Sequence, residues 1–116
     1  MADYLKQMTT TEDFEAALAA SDSEPIWLLK HSNSCGVSED AFEEFATHAE
    51  AQTSRAHWVL TVQSSPALSR LIAAQLGVDH DTPQVILLSE RQVRWVATHW
   101  NVRQANLDHA LTTLTS

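Results

Sequence analysis

The sequence predicts an α/β fold, a central mixed four-stranded sheet flanked by helices, with its elements in the order αβαβαββα. Three observations carry this reading. Short apolar runs alternate with amphipathic segments of helical period, the pattern of strands joined by helical crossovers. Two of the runs, residues 85–88 and 92–96, are separated by three residues, too few for a crossover and enough for an antiparallel hairpin. The chain has 116 residues, 44% hydrophobic and 19% charged, which fits a single globular domain spanning 1–116.

The elements follow in order. Thr9, Thr10, Thr11, Glu12 and Asp13 supply cap candidates and first-turn acids, and Phe14, Ala17 and Leu18 then recur at helical spacing, so a helix is expected over 11–20. Ser21 to Pro25 breaks it, and residues 26–29, Ile-Trp-Leu-Leu, read as a strand buried on both faces. Residues 37–49 place Ala41, Phe42, Phe45 and Ala49 on one helical face with acids near the amino end. A strand follows over 58–62. Ser65 and Pro66 then open a helix whose stripe is Leu68, Leu71, Ile72 and Leu76, with Gly77 at its end. After the hairpin, Asn101 and Val102 begin a last helix in which Leu107, Ala110, Leu111 and Leu114 share a side. This order is thioredoxin-like.

Charge and composition exclude several functions. A net charge of -8 with only 7 Lys and Arg works against a phosphate backbone, so no nucleic-acid partner is expected. No apolar run approaches the roughly 20 residues of a membrane span, so no membrane association is expected either. The single cysteine cannot form an internal disulfide, which agrees with a reducing, cytoplasmic location. Six histidines show no paired zinc spacing, so no metal is expected, and two glycines are too few for a phosphate loop.

The chemistry concentrates at "HSNSCGVS", residues 31–38. Cys35 stands between a predicted strand and a predicted helix, where first-turn amides and the helix dipole stabilise a thiolate. The competing reading is a small buried hydrophobe. Ser38, one turn on, occupies the place of a second thiol in two-cysteine oxidoreductases; it is either a hydrogen-bond donor to the thiolate or an ordinary first-turn serine. Gly36 suits backbone that approaches a bulky ligand, or simply a turn. Thr82 and Pro83 precede a strand, and in a thioredoxin-like fold a cis proline there stands opposite the active cysteine; a trans proline opening a strand is the alternative.

Three blocks, "WLLKHSNSCGVSEDAFEEF", "QLGVDHDTPQVILL" and "VRWVATHW", in this order and spacing, resemble the monothiol bacilliredoxin family, thioredoxin-like proteins of bacillithiol-producing bacteria. The similarity runs from Ile26 to Leu111. The family usually has Thr-Cys-Pro-Ile-Ser at its centre, where this chain has Ser34-Cys35-Gly36-Val37-Ser38. The resemblance implies a thiol-disulfide oxidoreductase that removes bacillithiol from S-bacillithiolated proteins, with bacillithiol as co-substrate and no bound cofactor. It implies Cys35 as nucleophile, Ser38 and the amides of Gly36, Val37 and Ser38 as thiolate stabilisers, and Thr82 with Pro83 as a platform for the bound thiol. Lys30 and His31 are the local cations for the carboxyl pair of bacillithiol, although Lys30 also reads as a solvated strand-end lysine. The alternative function is a redox-sensing or binding module whose Cys35 is reversibly thiolated.

Overall fold

The computed structural model of the chain describes residues 4–34 and 36–116. Thr10 caps helix α1 (Thr11–Ala20): its hydroxyl accepts from the Asp13 amide at 3.1 Å, and the Asp13 carboxylate accepts from the Thr10 amide at 3.2 Å. Strand β2 (Ile26–His31) follows the Pro25 break and is buried along nearly its whole length, as its continuous apolar run requires. Helix α2 (Gly36–Ala51), strand β3 (His57–Thr61) and helix α3 (Pro66–Leu76) come next. Gly77 ends α3 with φ +68°, a conformation that costs glycine nothing, and its amide bonds the Ala73 carbonyl. Strands β4 (Gln84–Ser89) and β5 (Gln92–Thr98) form the hairpin, and helix α4 (Gln104–Thr115) closes the chain.

Two features depart from the sequence expectation. A fifth strand, β1 (Leu5–Gln7), pairs parallel with β3 and extends the sheet beyond the four strands expected. Its three residues are too few to show alternation, and pairing with β3 alone creates it. The last helix begins at Gln104 and not at Asn101, because His99–Asn101 form a 3-10 turn. His99 enters that turn with φ +53°, and its amide bonds the Pro83 carbonyl at 3.0 Å. The Glu44 carboxylate then accepts from the Gln104 amide at 2.9 Å, satisfying one of the free donors at the start of α4.

The sheet order is β1-β3-β2-β4-β5, with β1, β3 and β2 parallel and β4 and β5 antiparallel to their neighbours. Alternation along the strands divides the core. Trp27, Leu29, Val59, Val85 and Leu87 face α2 and α4, while Ile26, Leu28, Leu60, Ile86 and Leu88 face α1 and α3. In the hairpin turn both Glu90 and Arg91 have positive φ, 53° and 62°. Contacts with the end of α1 hold them there: the Glu90 amide bonds the Ser21 carbonyl at 2.8 Å, and the Arg91 amide bonds the buried Ser21 hydroxyl at 2.9 Å.

Two buried histidines sit at the end of the sheet where β2 and β3 begin. His57 stacks on Trp27 with ring centroids 6.1 Å apart, and His48 meets the same indole edge-on at 5.0 Å. Nδ1 of His57 lies 3.1 Å from the Arg55 carbonyl, which can only accept, so that nitrogen carries the proton. Nε2 is then the acceptor for the His48 Nδ1–H at 2.8 Å. Burial pushes His57 down to about 4, so it stays neutral where an unfolded histidine would be charged.

Because its folded pKa lies below the unfolded value, His57 contributes its full stability above about pH 6.5, and that stability drains away as pH falls towards 4. Urea unfolding midpoints at pH 7 and pH 4.5 should show a loss of roughly 2–3 kcal/mol from this residue. A His57→Gln variant, less stable at neutral pH, should show a correspondingly smaller decline between the two.

Candidate thiol-exchange site

Strand polarity gathers the site at one edge of the sheet. Parallel β2 and β3 end together there, with His31 beside Thr61, and antiparallel β4 begins there, with Gln84 opposite Lys30. Three segments therefore converge: 32–34 leaving β2, 62–65 leaving β3, and 82–83 entering β4. Helix α2 starts at Gly36, directing its free amides and positive dipole end into the same region. Cys35, the expected nucleophile, lies outside the described residues.

A side chain not singled out in the sequence holds the segment before the cysteine. Gln63 Nε2 donates to the Ser32 hydroxyl at 2.7 Å and to the Ser34 hydroxyl at 3.1 Å, while its Oε1 accepts from the Asn33 amide at 3.1 Å. One amide group thus ties down three consecutive residues. Its only sequence signal is its position just past β3, and the tertiary fold alone brings it within reach of residues 30 positions earlier.

Ser38 is fully buried, and its hydroxyl has no hydrogen-bond partner among the described residues. A buried hydroxyl seeks a partner, so Ser38 is available as a donor on the first turn of α2. Nδ1 of His31 is buried and unpartnered among the described residues as well, and the ring lies 5.2 Å from Phe42. Gly36 is exposed and Val37 half-buried. A Cβ built on Gly36 meets nothing within 4 Å, so neither packing nor backbone conformation demands glycine there.

The peptide between Thr82 and Pro83 is cis. Pro83 is buried and Thr82 partly exposed. The Pro83 carbonyl is occupied by the His99 amide, which locks the 3-10 turn onto this edge. Trp100 in that turn is 61% exposed, with the Arg103 guanidinium 5.8 Å from its ring and 3.1 Å from the Asp40 carboxylate of α2. His99 and Trp100 thereby sit beside Pro83 and, through Arg103 and Asp40, beside α2.

The structure draws Lys30 inside, away from its expected role as a ligand's cation, and leaves His31 half-buried at the edge. Lys30 continues the alternation of Ile26 and Leu28, so its side chain runs inward beneath α3 and is wholly buried, neither solvated nor presented to a ligand's carboxylates. Burial lowers its pKa to about 8 against the pull of Asp81. Burial also lowers the pKa of His31, with the Ser38 backbone, Asn33 and Glu39 opposing, which leaves the ring neutral at pH 7. Arg103, partly exposed and paired with Asp40, is a cation beside this edge.

A cleft of about 610 Å³ along β5 reaches this edge through Asp79, Asp81 and Gln84, on either side of Thr82 and Pro83, and one of about 540 Å³ between the starts of α1 and α3 takes in Ser64 and Ser65.

Replacing Gln63 with Ala should free the 32–34 segment while leaving the core intact. Amide exchange at Asn33 and Ser34 should quicken by about tenfold, as expected for the loss of one or two net hydrogen bonds. Unchanged exchange at both amides would show that Gln63 does not hold the segment.

Comparison with known proteins agrees with this arrangement. A thioredoxin-fold protein described provisionally as an oxidoreductase superposes with a TM-score of 0.83 at 24% identity, covering 92% of this chain and 93% of its own. Thioredoxin f from spinach chloroplast, in its short form, gives 0.74 at 20% identity over 97% and 94% of the two chains. Thioredoxin from Fasciola hepatica gives 0.74 at 13% identity over 93% and 97%. At these identities the likeness establishes the thioredoxin fold. The family model described as "Monothiol bacilliredoxin BrxC" matches residues 6–107, nearly the whole chain, and the protein therefore belongs to the monothiol bacilliredoxin family, with a thiol redox function.

Proposed function

We propose that this protein is a monothiol oxidoreductase that removes bacillithiol from mixed disulfides on oxidised proteins in a reducing cytoplasm. The carrying observation is that the lone cysteine directly precedes in sequence the first residue of α2, whose start lies at the edge where the cis Thr82–Pro83 peptide also lies. Family membership supports the substrate class.

In the proposed reaction the Cys35 thiolate attacks the bacillithiol sulfur of the mixed disulfide. The protein–bacillithiol S–S bond breaks as the Cys35–bacillithiol bond forms, and the substrate leaves as a thiolate that takes a proton from water. With no second cysteine in the chain, an external thiolate must attack next. If that thiol is bacillithiol, it departs as bacillithiol disulfide and Cys35 is regenerated reduced. Free amides at the start of α2 and the Ser38 hydroxyl favour the thiolate over the thiol. Thr82 and Pro83 offer the shelf on which the substrate's backbone rests. No bound cofactor takes part in this scheme.

A second reading is favoured by Gly36. Proline there would stiffen the first helical turn, whereas glycine leaves it loose, and a less organised turn suits a thiol that is modified and held more than one that turns over. In that reading Cys35 senses redox state by taking up bacillithiol.

Incubation with a bacillithiolated model protein separates the two. The enzyme reading expects loss of the adduct over many turnovers in excess bacillithiol, a mass shift on Cys35 and no activity in Cys35→Ser; a single stoichiometric transfer points to the sensor, and no transfer with Cys35→Ser matching wild type excludes both. Because a Cβ at Gly36 meets nothing within 4 Å and helices favour proline in their first turn, Gly36→Pro should fold and gain about 0.5–1 kcal/mol in stability, read as a higher thermal midpoint.

A further inference from the structure

Lys30, fully buried, and His80, at the surface, form a contact for which the scheme above has no use. The Lys30 ammonium donates to Nδ1 of His80 at 3.0 Å and to the Ser69 carbonyl of α3 at 3.2 Å. Across the β2–β4 pair from Lys30 stands Gln84, also buried, whose Nε2 donates to the Asp79 carbonyl at 2.9 Å. Two facing residues of the sheet therefore grip two consecutive residues of the segment that leads into Thr82 and Pro83. A fully buried amine is costly unless it is hydrogen-bonded, so the contact with His80 is an obligatory partner and not a chance approach.

We propose that Lys30 and His80 are positioning residues that clamp the 79–83 segment against the sheet, and that protonation of His80 releases the clamp. The inference rests on the reading that Thr82 and Pro83 support the substrate. Its chemistry follows from donor counting. The ammonium has only hydrogens to offer, so Nδ1 of His80 must present its lone pair and the ring proton must sit on Nε2, towards solvent. When His80 takes a second proton, an N–H faces the ammonium and the contact turns repulsive. The charged and titratable groups around the pair are Asp81, which attracts both cations, and Arg70 on α3, which repels a protonated ring. Ser69 and Gln84 contribute neutral groups, and His31, next to Lys30 on β2, points to the opposite face of the sheet. Partial burial, Lys30 and Arg70 all lower the pKa of His80 and only Asp81 opposes, so the clamp is closed at neutral pH and opens in acid.

The test pairs structure with activity. In wild-type protein, the amide resonances of Thr82, Gln84 and His99 should shift with the same midpoint as the His80 ring when pH is lowered from 7 to 5, where Lys30 stays charged, and KM for the mixed disulfide should rise by about tenfold through that midpoint, the loss expected for a charged hydrogen bond. His80→Gln keeps a non-titrating acceptor for Lys30, so its amide positions and KM should stay level over that range. Lys30→Met, with folding checked by circular dichroism, should lose the amide inflection and have a raised KM at every pH. The alkylation rate of Cys35, followed in parallel, separates these effects from titration of the thiol itself. Amides that ignore the His80 titration would overturn the proposal, as would a KM that stays level while they move. If the amides follow His80 but no bacillithiol is transferred at any pH, the clamp stands and the substrate reading of Thr82 and Pro83 falls.

Discussion

The pairing of β2 with both of its neighbours is the constraint on which the functional edge depends. β2 is central, parallel to β3 and antiparallel to β4, so its last residues lie beside the end of one neighbour and the beginning of the other. That brings the segment before the cysteine, the Gln63 region and the Thr82–Pro83 peptide to one place. A slip of one residue would exchange the faces of every β2 side chain, driving Lys30 in among Trp27's aromatic neighbours and Ile26 and Leu28 away from α1 and α3. Both faces of β2 are buried, so such a slip would cost several kcal/mol of misplaced apolar surface and an unpaired buried charge.

Polar groups inside the protein fall into two sets at opposite ends of the sheet. His48 and His57, beside the starts of β2 and β3, bond one another and pack on Trp27, and their part is structural. Ser32, Ser38, Lys30 and Gln84 lie at the functional edge. There Gln63 bonds Ser32, Ser69 and His80 bond Lys30, and the Asp79 carbonyl accepts from Gln84, while the Ser38 hydroxyl and the Gln84 Oε1 have no partner among the described residues.

The acidic surface bears on how the proposed substrate would be recognised. Glu39, Asp40, Glu43 and Glu44 crowd the first half of α2, and Arg103 is held against Asp40 under Trp100. A protein substrate approaching this edge meets an exposed indole, one partly neutralised guanidinium and an otherwise negative rim. Selectivity would then come from the covalent fit of the disulfide and the Thr82–Pro83 shelf, with long-range charge attraction contributing little to a net charge of -8.

The helices, the four longer strands, the hairpin and the place of the cysteine were legible from local signals: Thr10 and Asp13 at one helix start, Pro66 and Gly77 at the ends of another, and continuous apolar runs in β2 and β4. These are short-range properties, set by propensity, capping and period, and the family resemblance rested on them. The tertiary structure decided what depends on contacts between distant residues. β1 exists only because β3 offers an edge, and Gln63 matters only because the parallel β2–β3 pair carries it to residues 32–34. Lys30 shows the distinction most clearly. In sequence it is a polar residue at a strand's end, but strand alternation and the cover of α3 turn it inward to His80, 50 positions away, because register and not residue type assigns a side chain to water or to the core.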